Sequence, residues 1–343
     1  MKRNPALAII LLVFTVILQL HGCQNAPLIH EEQEVMMGTI MKIKTAARGR
    51  SESETREACQ EAFAEITRLE EELSEWQPDT PISQVNRLAG KAEATPIPSS
   101  AVDVTRTALE IATLTNGEFD VTFKPIGRLW NVKERLVPPP ADSIMHALSL
   151  VDYTEVELDT LASPATLRLA KKGMELGFGG IAKGYAALQA GEVLRSHGFN
   201  DFIINAGGDL YVGGRKGDRH WVSGIKDPRD PAQPPVITFE VIADCGIATS
   251  GDYENYFTWE GERYHHIIDL SSGYPAKGMK SSTVFSADPS KADAYATAFF
   301  IIGYEKALQV VKQDPTVAFI LIDADNTIHR SPNLGTFIRE RTR

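Results

Sequence analysis

The chain has 343 residues, 43% of them hydrophobic, with 45 acidic against 35 basic side chains, a formal net charge of −10 and three cysteines. An acidic chain lacks the basic footprint that holds a phosphate backbone, which argues against a nucleic-acid partner. Three cysteines with no Cys/His cluster at ligand spacing argue against structural zinc and give no demonstrable disulfide framework, while length and apolar content suffice for a sizeable core.

At the N-terminus Met1-Lys-Arg precedes an apolar run, Ala6 to Leu18, that ends at Leu20-His-Gly-Cys23. The run is shorter than the ~20 residues of a membrane span, and its basic head and small-residue end read as an export signal over residues 1–22. Leu20, Gly22 and Cys23 resemble a bacterial lipobox, with His21 departing from the usual small or hydroxyl residue. That resemblance implies lipidation of Cys23, an uncleaved anchor being the alternative. Either way the body is expected outside the cytoplasm, on the periplasmic side of a bacterial envelope. Residues 23–34 read as a polar tether and 35–343 as one folded domain without internal repeat.

Glu34 to Lys44 alternates like a strand around Met37-Gly-Thr39. Thr55 to Leu73 places Cys59, Phe63, Ile66 and Leu73 at helical spacing, the pattern of a core-covering helix. A polar loop follows, from Ser74 to Asn86, carrying Trp76, an aromatic able to stack a planar ligand. Ser99 to Thr115 reads as a second amphipathic helix, and Pro138 to Pro140 as a rigid exposed loop. Thr166 to Ala170 and Met174 to Leu176 read as two strands around a tight turn.

Gly177, Gly179, Gly180, Lys183 and Gly184 then fall between a strand-like and a helix-like segment, a junction suited to an anion. A dinucleotide fingerprint fits the spacing but not the flanks, and a P-loop fails because no Ser or Thr follows Lys183-Gly184. A Gly-rich turn that only packs a helix on a sheet is the plain alternative. Beyond it come a helix, Lys183 to His197, and a strand, Asp201 to Gly214, interrupted by Ala206-Gly-Gly-Asp209. Polar clusters at Ile247 to Tyr253, readable as a hairpin turn, and at Tyr264 to Pro275 end two apolar runs. Of the adjacent His265 and His266, strand alternation turns one inward and one outward. Asp293 and Thr297 lie one turn apart on a helix, a spacing that serves one hard cation, although Ser290 and Asp293 also fit a capping box. A helix from Tyr304 to Gln313 and a hairpin of Val317 to Ile322 with Thr327 to Arg330 complete the chain. Adjacent hairpins outnumber strand-helix-strand units, so the fold expected is α+β, with helices on mainly antiparallel sheets.

In order, Met37-Gly-Thr39, Glu118-Phe-Asp120, Gly179-Gly-Ile-Ala-Lys-Gly184, Asn205 to Asp209, Thr249-Ser-Gly-Asp252, His266-Ile-Ile-Asp269 and Asp293 with Thr297 resemble the ApbE-type FAD:protein FMN transferase family. The resemblance implies a two-lobed, T-fold-like architecture and an enzyme that transfers FMN from FAD to a Thr or Ser hydroxyl of an extracytoplasmic redox protein, releasing AMP. It implies Mg²⁺ held by the carbonyl of Gly180 with Asp293 and Thr297. Flavin contacts carry over to Met37, Trp76, Glu118, Phe119, Asp120, Lys183 and Ile268. One departure is Gly177, where many members carry an Asp that contacts adenosine or ribose.

An imidazole near working pH suits removal of the acceptor's proton, so His266 is expected as general base with Asp269 orienting it. The same metal site would serve hydrolysis of FAD to FMN and AMP, and a non-catalytic FAD-binding lipoprotein is the remaining alternative.

Overall fold

The computed structural model describes residues 28–230 and 232–341, so the export signal and Cys23 lie outside the described residues. The first half comprises β1 (Ile29–Met36), β2 (Thr39–Ala46), α1 (Glu52–Leu73), α2 (Pro81–Arg87), β3 (Thr95–Pro96), α3 (Ser99–Leu114), α4 (Lys124–Trp130), α5 (Ala141–Leu148), β4 (Val156–Asp159) and β5 (Thr166–Leu169). The centre holds α6 (Ala182–Ser196), β6 (Phe202–Ala206), β7 (Asp209–Gly213), β8 (Trp221–Ile225), β9 (Ile237–Val241) and β10 (Cys245–Gly251). The last third runs through β11 (Tyr256–Trp259), β12 (Glu262–His265), β13 (Ile268–Asp269), β14 (Tyr274–Pro275), β15 (Met279–Ser286), α7 (Pro289–Gln313), β16 (Val317–Asp323), β17 (Ile328–Arg330) and β18 (Ile338–Glu340).

An eight-stranded sheet, ordered β1-β2-β6-β7-β10-β15-β16-β17, organises the molecule, and every pairing in it is antiparallel. Side chains alternate across it with period two. Met41, Ile43, Val284, Phe319 and Leu321 face the helical layer, where they meet Phe63 and Ile66 of α1, Ala186 and Ala190 of α6 and Phe299 of α7. Val212, Ile247, Phe285, Ile320 and Ile322 face the opposite way, onto Trp221, Phe239 and Ile338 of a three-stranded sheet ordered β18-β9-β8. The fold is therefore α+β with mainly antiparallel sheets, as the hairpin-rich sequence predicts. A separate small core of Ile126, Trp130, Ile144, Phe257 and Ile268 builds a satellite beside the main body. The Trp130 indole donates to the Gly273 carbonyl at 2.8 Å and so ties α4 to the turn between β13 and β14.

Local chemistry accounts for the elements. Ser51 and Glu54 form a reciprocal capping box at the start of α1, and its Cys59, Phe63, Ile66, Leu69 and Leu73 are buried on one face. The glycine pair at 207–208, expected to interrupt one strand, closes a tight β6–β7 hairpin with both residues at positive φ. Ile247 to Tyr253 is no hairpin turn: its first five residues belong to the central strand β10, buried between both cores. Met174 to Leu176 makes only a single bridge, Glu175 to Phe123, and forms no strand. The final helix is continuous with the one before it except at Gly303, whose φ of 73° breaks the helical path. Strand β1 already begins within the tether, at Ile29.

Helices α6 and α7 approach most closely at Gly184, where an added Cβ would stand 2.2 Å from the Pro289 carbonyl oxygen. Gly184→Ala should therefore lower stability in urea unfolding by about 1–3 kcal/mol. Gly179→Ala, with no atom within 4 Å of the new methyl, should change it by less than about 0.5 kcal/mol.

Candidate active site

Lys183, at the start of α6, reaches across to two carboxylates. Its Nζ lies 2.8 Å from Asp209 Oδ2 on β7 and 3.3 Å from Asp293 Oδ2 on α7, and the Gly184 amide donates to Asp293 Oδ2 at 3.1 Å. Burial alone would lower the lysine's pKa, but the two carboxylates outweigh it and the net shift is upward, so the ammonium stays charged. For Asp293, burial raises the carboxyl's pKa and Asp209 adds to this, while Lys183 opposes. One ammonium thus serves two buried acids, leaving a net negative charge. The capping role open to Asp293 in the sequence falls instead to Asp288, whose side chain accepts from the Ser290 amide at 2.8 Å.

Two cavities meet at this cluster. One, of about 220 Å³, is mostly apolar and lined by Phe119, Phe123, Ile267, Ile268, Leu270 and Ile301, with the acids Glu118 and Asp120 also in its lining. The other, of about 680 Å³, is polar, and its wall carries Lys183, Asp209, Glu254, Asp293, Ser250 and Lys226. Gly179, Gly180, His266 and Thr297 line both. Thr297 Oγ1 sits 3.2 Å from Ser250 Oγ, and a Cβ on Gly180 would stand 3.6 Å from Thr297 Oγ1. Gly180, Asp293 and Thr297 therefore lie together and offer oxygen donors, the set that suits a hard cation.

The paired histidines divide as strand alternation predicts. His265 is buried, its Nε2 donating to the Ala276 carbonyl at 2.9 Å and its ring edge-on to Phe300. His266 is exposed to the cavities, and its Nδ1 lies 3.3 Å from the Asn255 carbonyl. A carbonyl only accepts, so Nδ1 carries the proton and Nε2 keeps its lone pair. The surrounding protein, and then the charges of Lys183 and Lys133, push the imidazole down to about 4. The ring is therefore neutral at neutral pH.

Asp269 is not the partner that orients His266. Its carboxylate instead closes a local turn, accepting from the Ser271 amide at 2.8 Å and the Ser272 hydroxyl at 3.0 Å. Asp120 is likewise engaged, accepting from the Thr122 and Tyr153 amides at 2.7 Å each. Glu118 Oε2, by contrast, is buried without a partner, and burial, then the Asp269 charge, raises its pKa. Trp76 is 75% exposed, its ring 4.8 Å from Lys124 Nζ. Met37 occupies the β1–β2 turn at φ 50°, its amide donating to Glu70 at 2.8 Å, and lines neither cavity. A Cβ on Gly177 would stand 3.4 Å from Glu75 Oε1, so a carboxylate lies beside this position although the residue itself has none.

The sequence and the fold both have relatives. The ApbE family profile matches residues 37–321. A Treponema pallidum protein named FAD:protein FMN transferase is 31% identical over 324 residues, covering 90% of this chain and 89% of its own. The chain belongs to the ApbE family. The crystal structure of the Thermotoga maritima ApbE protein superposes with a TM-score of 0.80 at 28% identity, covering 91% of this chain and all of that one. A histidine-to-glycine mutant of the Vibrio cholerae flavin transferase ApbE gives 0.78 at 25% identity, over 90% and 99% of the two chains. This ApbE-family chain is accordingly an enzyme of the flavin-transferase type.

Sequence reasoning assigned no role to Asp209, Ser250, Lys226, Glu254 or Asn255. The first two stood in quoted motifs, and Asp209 directly after a glycine pair was a usable signal. The others are brought in by a clamp. Asp252, buried at the end of β10, receives both Arg229 nitrogens at 2.8 Å and lies 3.4 Å from Arg263, joining the segment after β8 to the β11–β12 hairpin. That joint places Lys226 and the Asn255–His266 pair on one wall. Asp252→Ala should cost about 1–3 kcal/mol in thermal unfolding. Hydrogen exchange should speed up in residues 226–230 and 256–265 before it does so in the core.

Proposed function

We propose that this chain transfers the FMN half of FAD to a Thr or Ser hydroxyl of an extracytoplasmic redox protein, releasing AMP, with Mg²⁺ as cofactor. The observation that carries the reading is the meeting of an apolar, ring-sized cavity with a polar, lysine-bearing one at Gly180, His266 and Thr297. A dinucleotide flavin needs both: apolar walls for a flat ring system and charge for a pyrophosphate. Glu118 Oε2, buried and unpartnered beside the apolar cavity, suits a hydrogen bond to a ring nitrogen.

Asp293, Thr297 and the Gly180 carbonyl would hold the cation, which when bound supplies positive charge to the phosphate oxygens. Lys183 contributes charge of its own from the first turn of α6, whose dipole end also favours an anion. The acceptor hydroxyl attacks the phosphorus on the FMN side, a new ester bond forms and the bond to the AMP oxygen breaks. Nε2 of His266 takes the hydroxyl proton, its lone pair left free by the Nδ1 contact to Asn255. The protein is further proposed to be anchored to the envelope through lipid on Cys23, because Leu20-His-Gly-Cys23 ends a short apolar run.

Mass spectrometry of a candidate acceptor incubated with enzyme, FAD and Mg²⁺ should show one added FMN. Free FMN with an unmodified acceptor would identify the hydrolytic activity instead. His266→Ala should bind FAD nearly as well as the parent and transfer it at least ~100-fold more slowly, and Asp293→Ala should abolish turnover with the fold intact. Transfer by His266→Ala at the parent rate would remove the base assignment. In cell fractionation Cys23→Ala should move the protein from the membrane to the soluble fraction or leave it unprocessed.

A further inference from the structure

Folding assembles a second donor cluster, well away from the cavities, that sequence spacing does not reveal. His30 and Glu32 project from the same face of β1, and Cys59 meets them from α1, with one ligand atom of each within 4.8 Å of the others. His30 Nε2 and Glu32 Oε1 are 2.7 Å apart. No lysine or arginine among the described residues competes for Glu32. Lys42 and Lys44 both pair with Glu31, on the opposite face of the strand, at 2.9 Å. A fourth group stands next to the three. Thr45 lies directly across from His30 in the β1–β2 register, hence on the same face, and its fully buried hydroxyl has no hydrogen-bond partner.

A buried hydroxyl without a partner normally costs free energy, and here it stands directly across the strand pair from the His30 imidazole, on the face that also carries Glu32. We propose that His30, Glu32 and Cys59 form a binding site for a borderline divalent cation of the zinc type, with Thr45 supplying a fourth oxygen or bonding to a water on the ion. A sulfur–nitrogen–oxygen donor set selects such a cation, whereas the all-oxygen set at Asp293 and Thr297 suits Mg²⁺. The two sites are therefore chemically separable.

The Cys59 thiol is pushed up to about 12 by burial and the nearby Glu32 charge, so it is protonated in the free protein. An entering cation would displace that proton to solvent and form a metal–thiolate bond, with no change of oxidation state. His30 is six residues along β1 from Met36, about 20 Å from the β1–β2 turn at a strand's rise per residue. The ion would pin the outermost strand of the sheet to helix α1, close to where the chain enters the fold.

The test uses the detergent-solubilised full chain, stripped with a chelator and titrated with Co²⁺ as spectroscopic probe. The parent should bind one equivalent with a thiolate-to-cobalt charge-transfer band, and excess Mg²⁺ should not displace it. Cys59→Ser should lose the band, Cys245→Ser should keep it, and His30→Gln should weaken binding tenfold or more, roughly the loss seen when a site's supporting groups are removed. Circular dichroism and FAD binding confirm that each variant is folded. His30 is only half-buried, so His30→Gln keeps the test readable if Cys59→Ser misfolds. Absence of the band in the parent, its survival in folded Cys59→Ser, or unchanged affinity in His30→Gln would overturn the site.

Discussion

The ammonium of Lys183 between Asp209 and Asp293 is the contact on which the rest of the site depends, because it joins α6, β7 and α7 at one point. Removing a charge from water is expensive, and such a group persists only when its partners and hydrogen bonds are in place. Here the Gly184 amide and two carboxylates meet that condition for Lys183 and Asp293 together. The geometry in turn requires the helices to approach at Gly184, where backbone meets backbone at Pro289. A side chain at 184 would separate them and pull the lysine from its second acid. Helix packing and site electrostatics are thus one constraint expressed twice.

The charge balance of that cluster bears on what it binds. Asp209, Glu254 and Asp293 face a cavity whose lysines are Lys183 and Lys226. A pyrophosphate entering such a wall adds negative charge to an already acidic surface, and Coulomb repulsion at these distances is not screened as it would be in bulk water. Binding an anion there requires further positive charge. Burial holds the Asp293 carboxyl above the usual carboxylate range, and Lys183, shared with Asp209, only partly opposes that shift. The cation proposed for Gly180, Asp293 and Thr297 would answer both.

Amphipathic helices were legible because their signal is local. Cys59, Phe63, Ile66 and Leu73 share one face of α1 through spacing alone, and the structure buries that face. Strands buried on both sides gave no alternation to read, so the Thr249-Ser-Gly tail of β10 looked like a turn although it continues the strand, paired with β15 beyond the point where the β7 pairing ends. Asn205 to Asp209 failed differently, since a two-glycine hairpin and a glycine-interrupted strand present the same composition. Site residues followed the same rule. Gly180, Asp293 and Thr297 stand in short motifs, and the structure brings them to one cavity. Glu254, Asn255 and Lys226 owe their place to the Asp252 clamp, a contact between segments far apart in the chain. Asp269 looked like a partner for His266 because it is three residues away, but the intervening backbone turns its carboxylate onto Ser271 and Ser272.

That substitution of partners changes the chemistry expected of His266. A carboxylate on Nδ1 would stabilise the imidazolium and raise its pKa, whereas a backbone carbonyl fixes the tautomer without supplying a full charge. With Lys183 and Lys133 also disfavouring the cation, the ring stays neutral and its lone pair available at any pH near neutrality. In the base role proposed for it, a ring held below the usual imidazole range is a weaker base, and by Brønsted reasoning it lowers the barrier less than a base matched to working pH. On that proposal, more of the work falls to positive charge acting on the transferring phosphoryl group. Among the side chains lining this cavity, Lys183 and Lys226 carry positive charge, and a cation held by Gly180, Asp293 and Thr297 would add to it.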